Sequence, residues 1–476
     1  MAELSRPDLC IVGAGALAIA LARHARRLGA SVVVADRGRP EAGEAAEAQR
    51  RLSALAASAG LAQALRDGER LGLANGEPRI VHKAIAARAG AVAESSAVLE
   101  SLEHLAAQGI HVVRGEVRFP DQRSVAVGDL QLRPRHIVLA TGGVPRLPAL
   151  PGLDEIDYFT ADRIAGNSRK LTHLLVLGGG PEAVALAQIQ RRLGAAVTLV
   201  PQGPLLPGFD PEAVAILLQA LRAEGVTILD GAAAEAVLPR AQGTGIVVVG
   251  TDGEQTTLDV SHVLVAMGRV PDVAGLDLEK LRLRAAPGSG SVSTGGLGRT
   301  ANRAVRAVGV AAGVEAWPQA LAHGRASLEA ALLGAPLRRP GAEPLLVLTA
   351  PALAQIGRVP AAGQKLGGVA GVVRASFAEN AAAQAGGAAF GMAKAALDAR
   401  GRIVGASVVG PGAGEIAAML ALAMERGIAL ADLASLALPQ PSLMGVVVAL
   451  AESAAVDRPV SPWVARQRAL RRLLPR

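Results

Sequence analysis

Two short glycine-containing segments have the residue spacing that lets a main chain come close to a phosphate group. Both follow the pattern GxGxxA, which is filled by Gly13, Gly15 and Ala18 in the first segment and by Gly178, Gly180 and Ala183 in the second. In such a turn the first glycine permits a tight bend, the second lets the backbone approach a diphosphate, and the third small residue lets a helix pack close to a strand. Amide groups at the start of the helix can then hold phosphates, so both segments are candidate dinucleotide sites.

The elements that must position these turns are themselves repeated. Residues 9–36 read LCIVGAGALAIALARHARRLGASVVVAD, and residues 174–201 read LLVLGGGPEAVALAQIQRRLGAAVTLVP. Each copy has an apolar run, the glycine turn, a helical stretch that ends in glycine, and a second apolar run. One such pattern is weak evidence because glycine-rich turns recur by chance, but two copies with matching spacing predict two related βαβ units.

The two copies differ where a nucleotide ribose would be recognised. In the first copy the second apolar run ends at Asp36, where a carboxylate can accept hydrogen bonds from ribose hydroxyl groups. Adenosine binding is therefore predicted for the first unit. The second copy has Pro201 at the matching position and Gln202 after it, so it offers neither the carboxylate expected for NAD nor an arginine for a 2′-phosphate. The choice between NADH and NADPH stays open.

Composition indicates a soluble multidomain protein. The 476 residues suffice for about three domains, and 51% are apolar against 19% charged. No run of about 18 uncharged apolar residues occurs and the start MAELSRPDLC does not resemble a signal peptide, so we expect a cytoplasmic location. The single cysteine, Cys10, excludes an intrachain disulfide and is predicted to be a small core residue.

The formal net charge of +8 is concentrated at the C-terminus. Residues 457–476 hold six Arg and one Asp, and +3 is left for the other 456 residues, which favours no nucleic-acid function. The tail could form an amphipathic helix, with apolar positions Trp463, Val464, Leu470, Leu473 and Leu474. Such a helix can lie on an anionic membrane surface, but packing on a partner subunit or a solvated end is more common. The eight histidines show no metal-binding spacing, so no metal site is predicted.

Three further segments resemble one particular family. They are HIVLATGGVPRLPALPGLD at 136–154, which contains Thr141 and Gly142; VLVAMGRVPD at 263–272, which contains Gly268 and Arg269; and RGRIVGASVVGPGAGE at 400–415. Together with the glycine turns they resemble, in order and over nearly the whole chain, the flavoprotein (pyridine nucleotide) disulfide reductases. The similarity is greatest to the dihydrolipoamide dehydrogenase and mercuric reductase branch.

This resemblance implies an α/β fold with two Rossmann-like dinucleotide-binding domains, of FAD and NAD(P) type, and a C-terminal α+β dimerisation domain. The implied boundaries are 1–150 and 268–340 for the FAD domain, 151–267 for the NAD(P) domain, 343–456 for the interface domain of a homodimer, and 457–476 for the basic tail. FAD and NAD(P)H are the implied cofactors. Arg269 would either contact a nucleotide or bridge two domains. The implied cofactor-binding residues are Gly13, Gly15, Ala18, Asp36, Thr141, Gly142, Gly309, Gly178, Gly180, Ala183, Gly268 and Arg269.

The residues that perform thiol chemistry in the family are replaced. The stretch GRPEAGEAAEAQRRLSALAASAG, where the family has its CxxxxC pair, contains no cysteine. The family's HPTxxE segment, whose His and Glu act as an acid–base dyad, reads QPSLMG here, with Gln440 and Gly445 at those two positions. A family Glu near flavin and nicotinamide is replaced by Ala185. No catalytic residue is therefore assigned.

One replacement is expected to affect flavin binding directly. The family's AxGD segment, whose Asp holds the ribityl chain, ends here in Val310. Loss of a charge-assisted hydrogen bond costs about 1.5–3 kcal/mol, which predicts FAD binding weakened roughly ten- to a hundredfold. Two hypotheses follow: an FAD-dependent NAD(P)H oxidoreductase without disulfide chemistry, whose acceptor is open, or a non-catalytic homodimeric scaffold or binding protein derived from that family.

Overall fold

A computed structural model describes residues 6–38, 40–97, 102–334, 341–456 and 462–472. The chain divides into two compact units. The larger unit comprises residues 1–208 and 217–350, and the smaller comprises residues 209–216 and 351–476. Within the described ranges, no helix combines the length and the apolar composition that crossing a membrane requires.

The larger unit begins with the first predicted βαβ repeat. Its elements up to the end of the first domain are β1 (Leu9–Val12), α1 (Ala16–Arg27), β2 (Val32–Asp36), α2 (Pro40–Arg66), α3 (His82–Ala97), α4 (Leu102–Ala107), β3 (Ile110–Arg114), β4 (Val117–Arg118), β5 (Val125–Val127), β6 (Leu130–Leu132), β7 (His136–Leu139) and β8 (Gly143–Pro145).

The second repeat follows, and a three-stranded antiparallel sheet, β13–β14–β15, is inserted before its last strands. Its elements are β9 (Phe159–Thr160), α5 (Ala161–Ile164), β10 (His173–Leu177), α6 (Pro181–Arg192), β11 (Ala196–Val200), α7 (Pro211–Ala223), β12 (Val226–Ile228), β13 (Ala233–Pro239), β14 (Thr244–Val249), β15 (Gln255–Val260), β16 (His262–Val265) and β17 (Arg269–Pro271). The chain then returns through β18 (Val305–Ala307) and α8 (Trp317–Leu332).

Each repeat forms the centre of a five-stranded parallel sheet. The orders are β18–β7–β1–β2–β3 in the first sheet and β12–β11–β10–β16–β9 in the second. The central strands β1 and β10 are apolar apart from His173 at the start of β10, because parallel sheets are covered on both faces. In β1, Leu9 and Ile11 pack with α1 and α8, whereas Cys10 and Val12 pack toward β4–β6. The predicted α/β class and the core location of Cys10 are confirmed.

The smaller unit is an antiparallel sheet with helices. The remaining elements of the chain are β19 (Leu345–Val347), β20 (Ala352–Gly357), β21 (Gly371–Ser376), α9 (Ala381–Ala385), β22 (Met392–Leu397), β23 (Ile403–Gly410), α10 (Ala413–Glu425), α11 (Gly445–Val456) and α12 (Pro462–Arg472). Strands β20, β23, β22 and β21 lie side by side in that order. Helix α12 is the predicted tail helix, with Trp463 and Leu470 exposed; Leu473 and Leu474 lie outside the described residues.

A buried cluster of charged side chains is centred on Lys394, a residue of this sheet. The ammonium group of Lys394 on β22 is fully buried and donates to Asp210 Oδ1 at 2.8 Å, Glu212 Oε1 at 3.0 Å and the Pro360 carbonyl at 3.0 Å. Its three protons therefore all have acceptors. The pKa of Glu212 is lowered to about 2, chiefly by a hydrogen bond from Arg374. Burial raises this pKa and Lys394 lowers it further. The ammonium group is thus fully hydrogen-bonded inside the sheet, whereas Asp210 Oδ2 is buried without a partner among the described residues.

Removing the ammonium group should destabilise the smaller unit strongly. We expect Lys394→Met to lower the free energy of unfolding by about 3–5 kcal/mol, because the Asp210 carboxylate is left buried without its cation. Urea unfolding followed by circular dichroism measures this as a lower midpoint. Lys365→Met, at an exposed position, is the matched control and should leave the midpoint unchanged. Equal midpoints for the two variants would contradict a structural role for the cluster.

Candidate functional site

The two glycine turns occupy equivalent places in the two parallel sheets. Gly13 follows β1 with φ +115°, and Gly178 follows β10 with φ +135°. A Cβ atom on Gly13 would collide with the carbonyl oxygen of Ala140, and one on Gly178 would collide with that of Ala266. Each turn therefore passes so close to the neighbouring strand connection that only glycine fits.

The second glycine of each turn leaves open space in front of a helix. Gly15 and Gly180 are the N-cap residues of α1 and α6, with φ of −71° and −80°. Nothing lies within 4 Å of the place where a Cβ atom would stand on either residue. The helix amides thus face an unfilled cradle of the kind that a diphosphate occupies. Behind the turns, Ala18 and Ala183 are fully buried and let the helices approach the strands.

Asp36 ends β2 at the same edge of the first sheet as Gly13. Its Oδ1 accepts a hydrogen bond of 2.9 Å from the Gly38 amide, and its Oδ2 accepts one of 2.9 Å from Arg114 Nε. The Arg114 side chain is 66% exposed, so this ion pair is a weak surface contact. A ribose hydroxyl could therefore take the place of Arg114 at small cost.

Thr141 and Gly142 follow β7 and complete this edge. Thr141 is 5% exposed, and its Oγ1 has no hydrogen-bond partner among the described residues. A buried hydroxyl without a partner costs about 1–3 kcal/mol, so this atom indicates an acceptor or donor from outside the chain. Gly142 and Gly309 both have positive φ, of +70° and +60°, and Gly309 lies against Leu17 of α1. The buried Thr141 hydroxyl and the open space at Gly142 fit a flavin nucleotide here.

Val310 brings an apolar group to the same region. A Cβ atom on Gly143 would lie 2.7 Å from Val310 Cγ1, so the valine packs directly against the main chain of β8. Valine offers no acceptor for a ribityl hydroxyl. Its side chain offers van der Waals contact only.

Arg269 makes bridging contacts within the larger unit. Its Nη1 donates to both carboxylate oxygens of Asp162, at 2.9 and 3.0 Å. Its Nε and Nη2 donate to the Gly143 carbonyl, at 3.0 and 2.7 Å. The preceding Gly268 has φ +80° and adjoins Glu315. Of the two alternatives for Arg269, the structure shows contacts that join β17 to α5 and β8.

Small residues in helices α6 and α11 occupy two of the positions where the family resemblance places catalytic residues. Ala185 is 1% exposed within α6. Gly445 begins α11, and a Cβ atom there would lie 2.9 Å from Asn380 Nδ2. That amide group donates to the carbonyls of Ser442 and Leu443 at 3.1 and 3.3 Å, next to Gln440 in the chain. Burial raises the pKa of the Cys10 thiol to about 12, so the single cysteine is not a thiolate.

Sequence reasoning missed Glu182, the second residue of α6. Burial and the nearby Asp162 raise the pKa of its carboxyl group, Arg269 opposes them, and Glu315 raises it further. A carboxylate two residues after Gly180 was the available signal, but its distant neighbours could not be read from the sequence. Among the residues that the structure describes, no cluster of three or more His, Cys, Asp or Glu side chains could hold a metal ion.

Two parallel sheets, each with a glycine turn and an open helix start at its carboxyl edge, have the architecture of proteins that bind two dinucleotides. The chain belongs to the pyridine nucleotide-disulphide oxidoreductase family, whose model matches residues 7–324, and the family's dimerisation domain matches residues 343–451. Members of this family bind FAD and use NAD(P)H as substrate.

Individual relatives are similar over most of the chain. A mercuric reductase of Streptomyces lividans is 29% identical over 450 residues, covering 90% of this chain and 92% of the relative. A dihydrolipoyl dehydrogenase of Thermus scotoductus is 31% identical over 354 residues, covering 72% of this chain and 75% of the relative. These similarities confirm the family resemblance and its branch.

Solved structures have the same fold. LpdA from Mycobacterium tuberculosis has a TM-score of 0.82 at 25% identity, covering 94% of this chain and 99% of that one. The HOCl-induced flavoprotein disulfide reductase RclA from Escherichia coli has a TM-score of 0.80 at 21% identity, covering 95% and 100%. The arrangement of two Rossmann-like domains and a dimerisation domain is thereby confirmed.

The Thr141 hydroxyl, which has no partner among the described residues, leads to one prediction for stability and one for FAD affinity. We expect Thr141→Val to leave the stability of the FAD-free protein unchanged or raise it by about 1 kcal/mol, because an unsatisfied polar atom is removed. The same variant should bind FAD roughly two- to tenfold more weakly, because one neutral hydrogen bond is lost. Thermal unfolding and fluorescence titration with FAD measure the two effects. Thr141→Ser keeps the hydroxyl and should bind as the wild type does; wild-type FAD affinity in Thr141→Val would show that the hydroxyl does not meet the flavin.

Restoring a carboxylate at position 310 should strengthen flavin binding. We expect Val310→Asp to raise FAD affinity by roughly ten- to a hundredfold, the effect of one charge-assisted hydrogen bond. Val310→Asn, which has the same shape without the charge, should give a smaller gain. Titration of the FAD-free protein measures both. An Asp variant that binds no better than wild type would place the ribityl chain away from this residue.

Proposed function

We propose that this protein is an FAD-dependent NAD(P)H oxidoreductase that transfers electrons to an acceptor other than a disulfide. The observation that carries the proposal is the pair of open glycine cradles at Gly15 and Gly180 in a chain that has one cysteine, buried and protonated. The nucleotide cradles of the family are retained, whereas its dithiol cannot form. Quinones, dioxygen or an electron-transfer protein are acceptors consistent with this chemistry.

The residues of the first unit have separate roles in this proposal. Amides that follow Gly15 would hold the FAD diphosphate, Asp36 would accept from the ribose, and Thr141 would supply a buried hydroxyl near the flavin. Gly13, Gly142 and Gly309 shape the turns, and Ala18 sets the helix against β1. Bound flavin supplies the two-electron chemistry, which no side chain described here can replace.

The second unit would bind the pyridine nucleotide. Amides after Gly180 face open space, with Gly178 and Ala183 fixing the turn, and Gly268 and Arg269 closing the domain beside it. Gln202 has φ +58°, and its side-chain amide donates to the Ala234 carbonyl at 3.3 Å. As a glutamine it has no carboxylate to accept hydrogen bonds from a ribose. We accordingly propose domain roles as follows: residues 1–150 and 268–340 for FAD, 151–267 for NAD(P)H, and 343–456 for a homodimer interface.

A second candidate is a non-catalytic homodimer that keeps the architecture as a scaffold or binding protein. The observations that favour it are the apolar Val310 where the family has an aspartate, the packed Ala185, and Gly445, where a Cβ atom would lie 2.9 Å from Asn380 Nδ2. Glutamine at position 440 exchanges no proton near neutral pH. The two candidates differ in whether a hydride path exists between the two cradles.

A matched pair of variants separates these functions. Both N-cap glycines have extended conformations that any residue adopts, and threonine is an acceptable N-cap, so Gly15→Thr and Gly180→Thr should fold. We expect Gly15→Thr to lose flavin, because its side chain occupies the diphosphate space. Gly180→Thr should keep flavin absorbance but lose its bleaching by NADH or NADPH under anaerobic conditions.

Absorbance spectra of the wild type, before and after NADH or NADPH, provide the reference. Bleaching that reverses when a quinone or dioxygen is added supports the proposal, and lipoamide or another disulfide should fail to reverse it. A wild-type protein that takes up no FAD would establish the scaffold candidate instead. Flavin that neither nucleotide bleaches would leave a flavoprotein without the proposed reaction.

A further inference from the structure

Four ionisable side chains surround the start of the second nucleotide helix. Glu182 is the second residue of α6, two positions after the open cradle at Gly180. Asp162 on α5, Arg269 on β17 and the exposed Glu315 all act on it electrostatically. Asp162 and Arg269 form an ion pair of 2.9 Å whose side chains are only 6% and 18% exposed. The cluster thus holds three carboxyl groups and one guanidinium.

Arg269, the cation of this cluster, donates its side-chain hydrogen bonds to groups other than Glu182. Arg269 places Nη1 on both oxygens of Asp162 and directs Nε and Nη2 at the Gly143 carbonyl. Its main-chain amide faces Glu315 Oε2 at 3.4 Å. Among the described residues, none donates a hydrogen bond to the half-buried Glu182 carboxyl group. An ionised Glu182 would therefore be a charge without a paired cation, beside two other acids.

These surroundings favour the protonated form of Glu182. Burial is the largest cause of its raised pKa, and repulsion from Asp162 is the next. Arg269 lowers the pKa and Glu315 raises it, but neither reverses the direction. A dinucleotide bound at Gly180 adds two negative charges at the same helix start. The diphosphate and an ionised Glu182 would repel each other in a partly desolvated place.

We infer that Glu182 takes up a proton when the diphosphate of a pyridine nucleotide binds at Gly180, so that nucleotide affinity is coupled to pH at this residue. This inference rests on the proposed function, because it requires the nucleotide to bind at the second turn. The proton comes from solvent, and no bond other than the O–H of the carboxyl group forms. Affinity is highest where Glu182 is already protonated in the free protein. It falls as pH rises, by up to about tenfold per unit, until the pKa of the complex is passed.

Calorimetric titration of the FAD-saturated, full-length protein with NAD⁺ tests the coupling. NAD⁺ carries the diphosphate, has no group that titrates near neutral pH, and cannot reduce the flavin. Titrations across a pH series, in two buffers with different heats of ionisation, give both affinity and protons taken up. We expect uptake approaching one proton per NAD⁺ for the wild type. Glu182→Gln, which is neutral at every pH and similar in shape, should take up none and bind with pH-independent affinity.

Three variants serve as controls. Glu315→Gln removes a negative neighbour but keeps Glu182, so proton uptake should persist and move to lower pH. Glu279→Gln, at an exposed position away from the cluster, should match the wild type. Gly180→Thr should abolish NAD⁺ binding and so locate it at the second turn.

The possible failures are distinguishable. Wild-type affinity that does not change with pH, or proton uptake that survives in Glu182→Gln, would overturn the inference and leave the proposed function standing. If neither the wild type nor Glu182→Gln bound NAD⁺ at any pH, nucleotide binding at the second turn would be overturned, and the inference with it.

Discussion

The structure depends on a steric constraint at two points, where a strand ends and a helix begins. At Gly13 and Gly178 the main chain passes so close to the carbonyl of a neighbouring strand connection that no side chain fits. This approach fixes where each following helix starts and directs its free amides away from the sheet. Asp36, Thr141 and Gly309 then lie at the same edge as Gly13 because parallel strands end there together. One local constraint therefore arranges groups that are far apart in the chain.

Residues that maintain this geometry differ in kind from those that perform the family's thiol chemistry. Glycines at the turns, alanines at the helix contacts and the ion pair of Arg269 with Asp162 all remain able to serve the fold. The residues at the positions that the family resemblance assigns to thiol chemistry neither exchange protons near neutral pH nor form a disulfide. The groups that shape the nucleotide turns are thus present without groups for dithiol chemistry. Nucleotide cradles without a dithiol suit a flavin that passes its electrons directly to another molecule.

Much of the fold could be predicted from the sequence because its signals are local. The glycine spacing and the apolar runs of residues 9–36 and 174–201 specify strand, turn and helix without any distant contact. The character of Glu182 could not be predicted in this way, because Asp162, Arg269 and Glu315 reach it only in the folded chain. Likewise, Thr141 belongs to a recognisable turn, but only its burial reveals a hydroxyl without a partner. The sequence left two alternatives for Arg269, and its bridging contacts could be read only from coordinates.

The close contact between Gly445 and the Asn380 amide has an evolutionary consequence. A glutamate introduced at 445 would displace Asn380, which ties the segment containing Ser442 and Leu443 to the start of α11. A histidine at 440 alone would have no carboxylate to orient it. A proton-transfer pair at 440 and 445 thus requires several changes together. A single substitution at either position would not create it, so stepwise substitution does not readily produce such a pair.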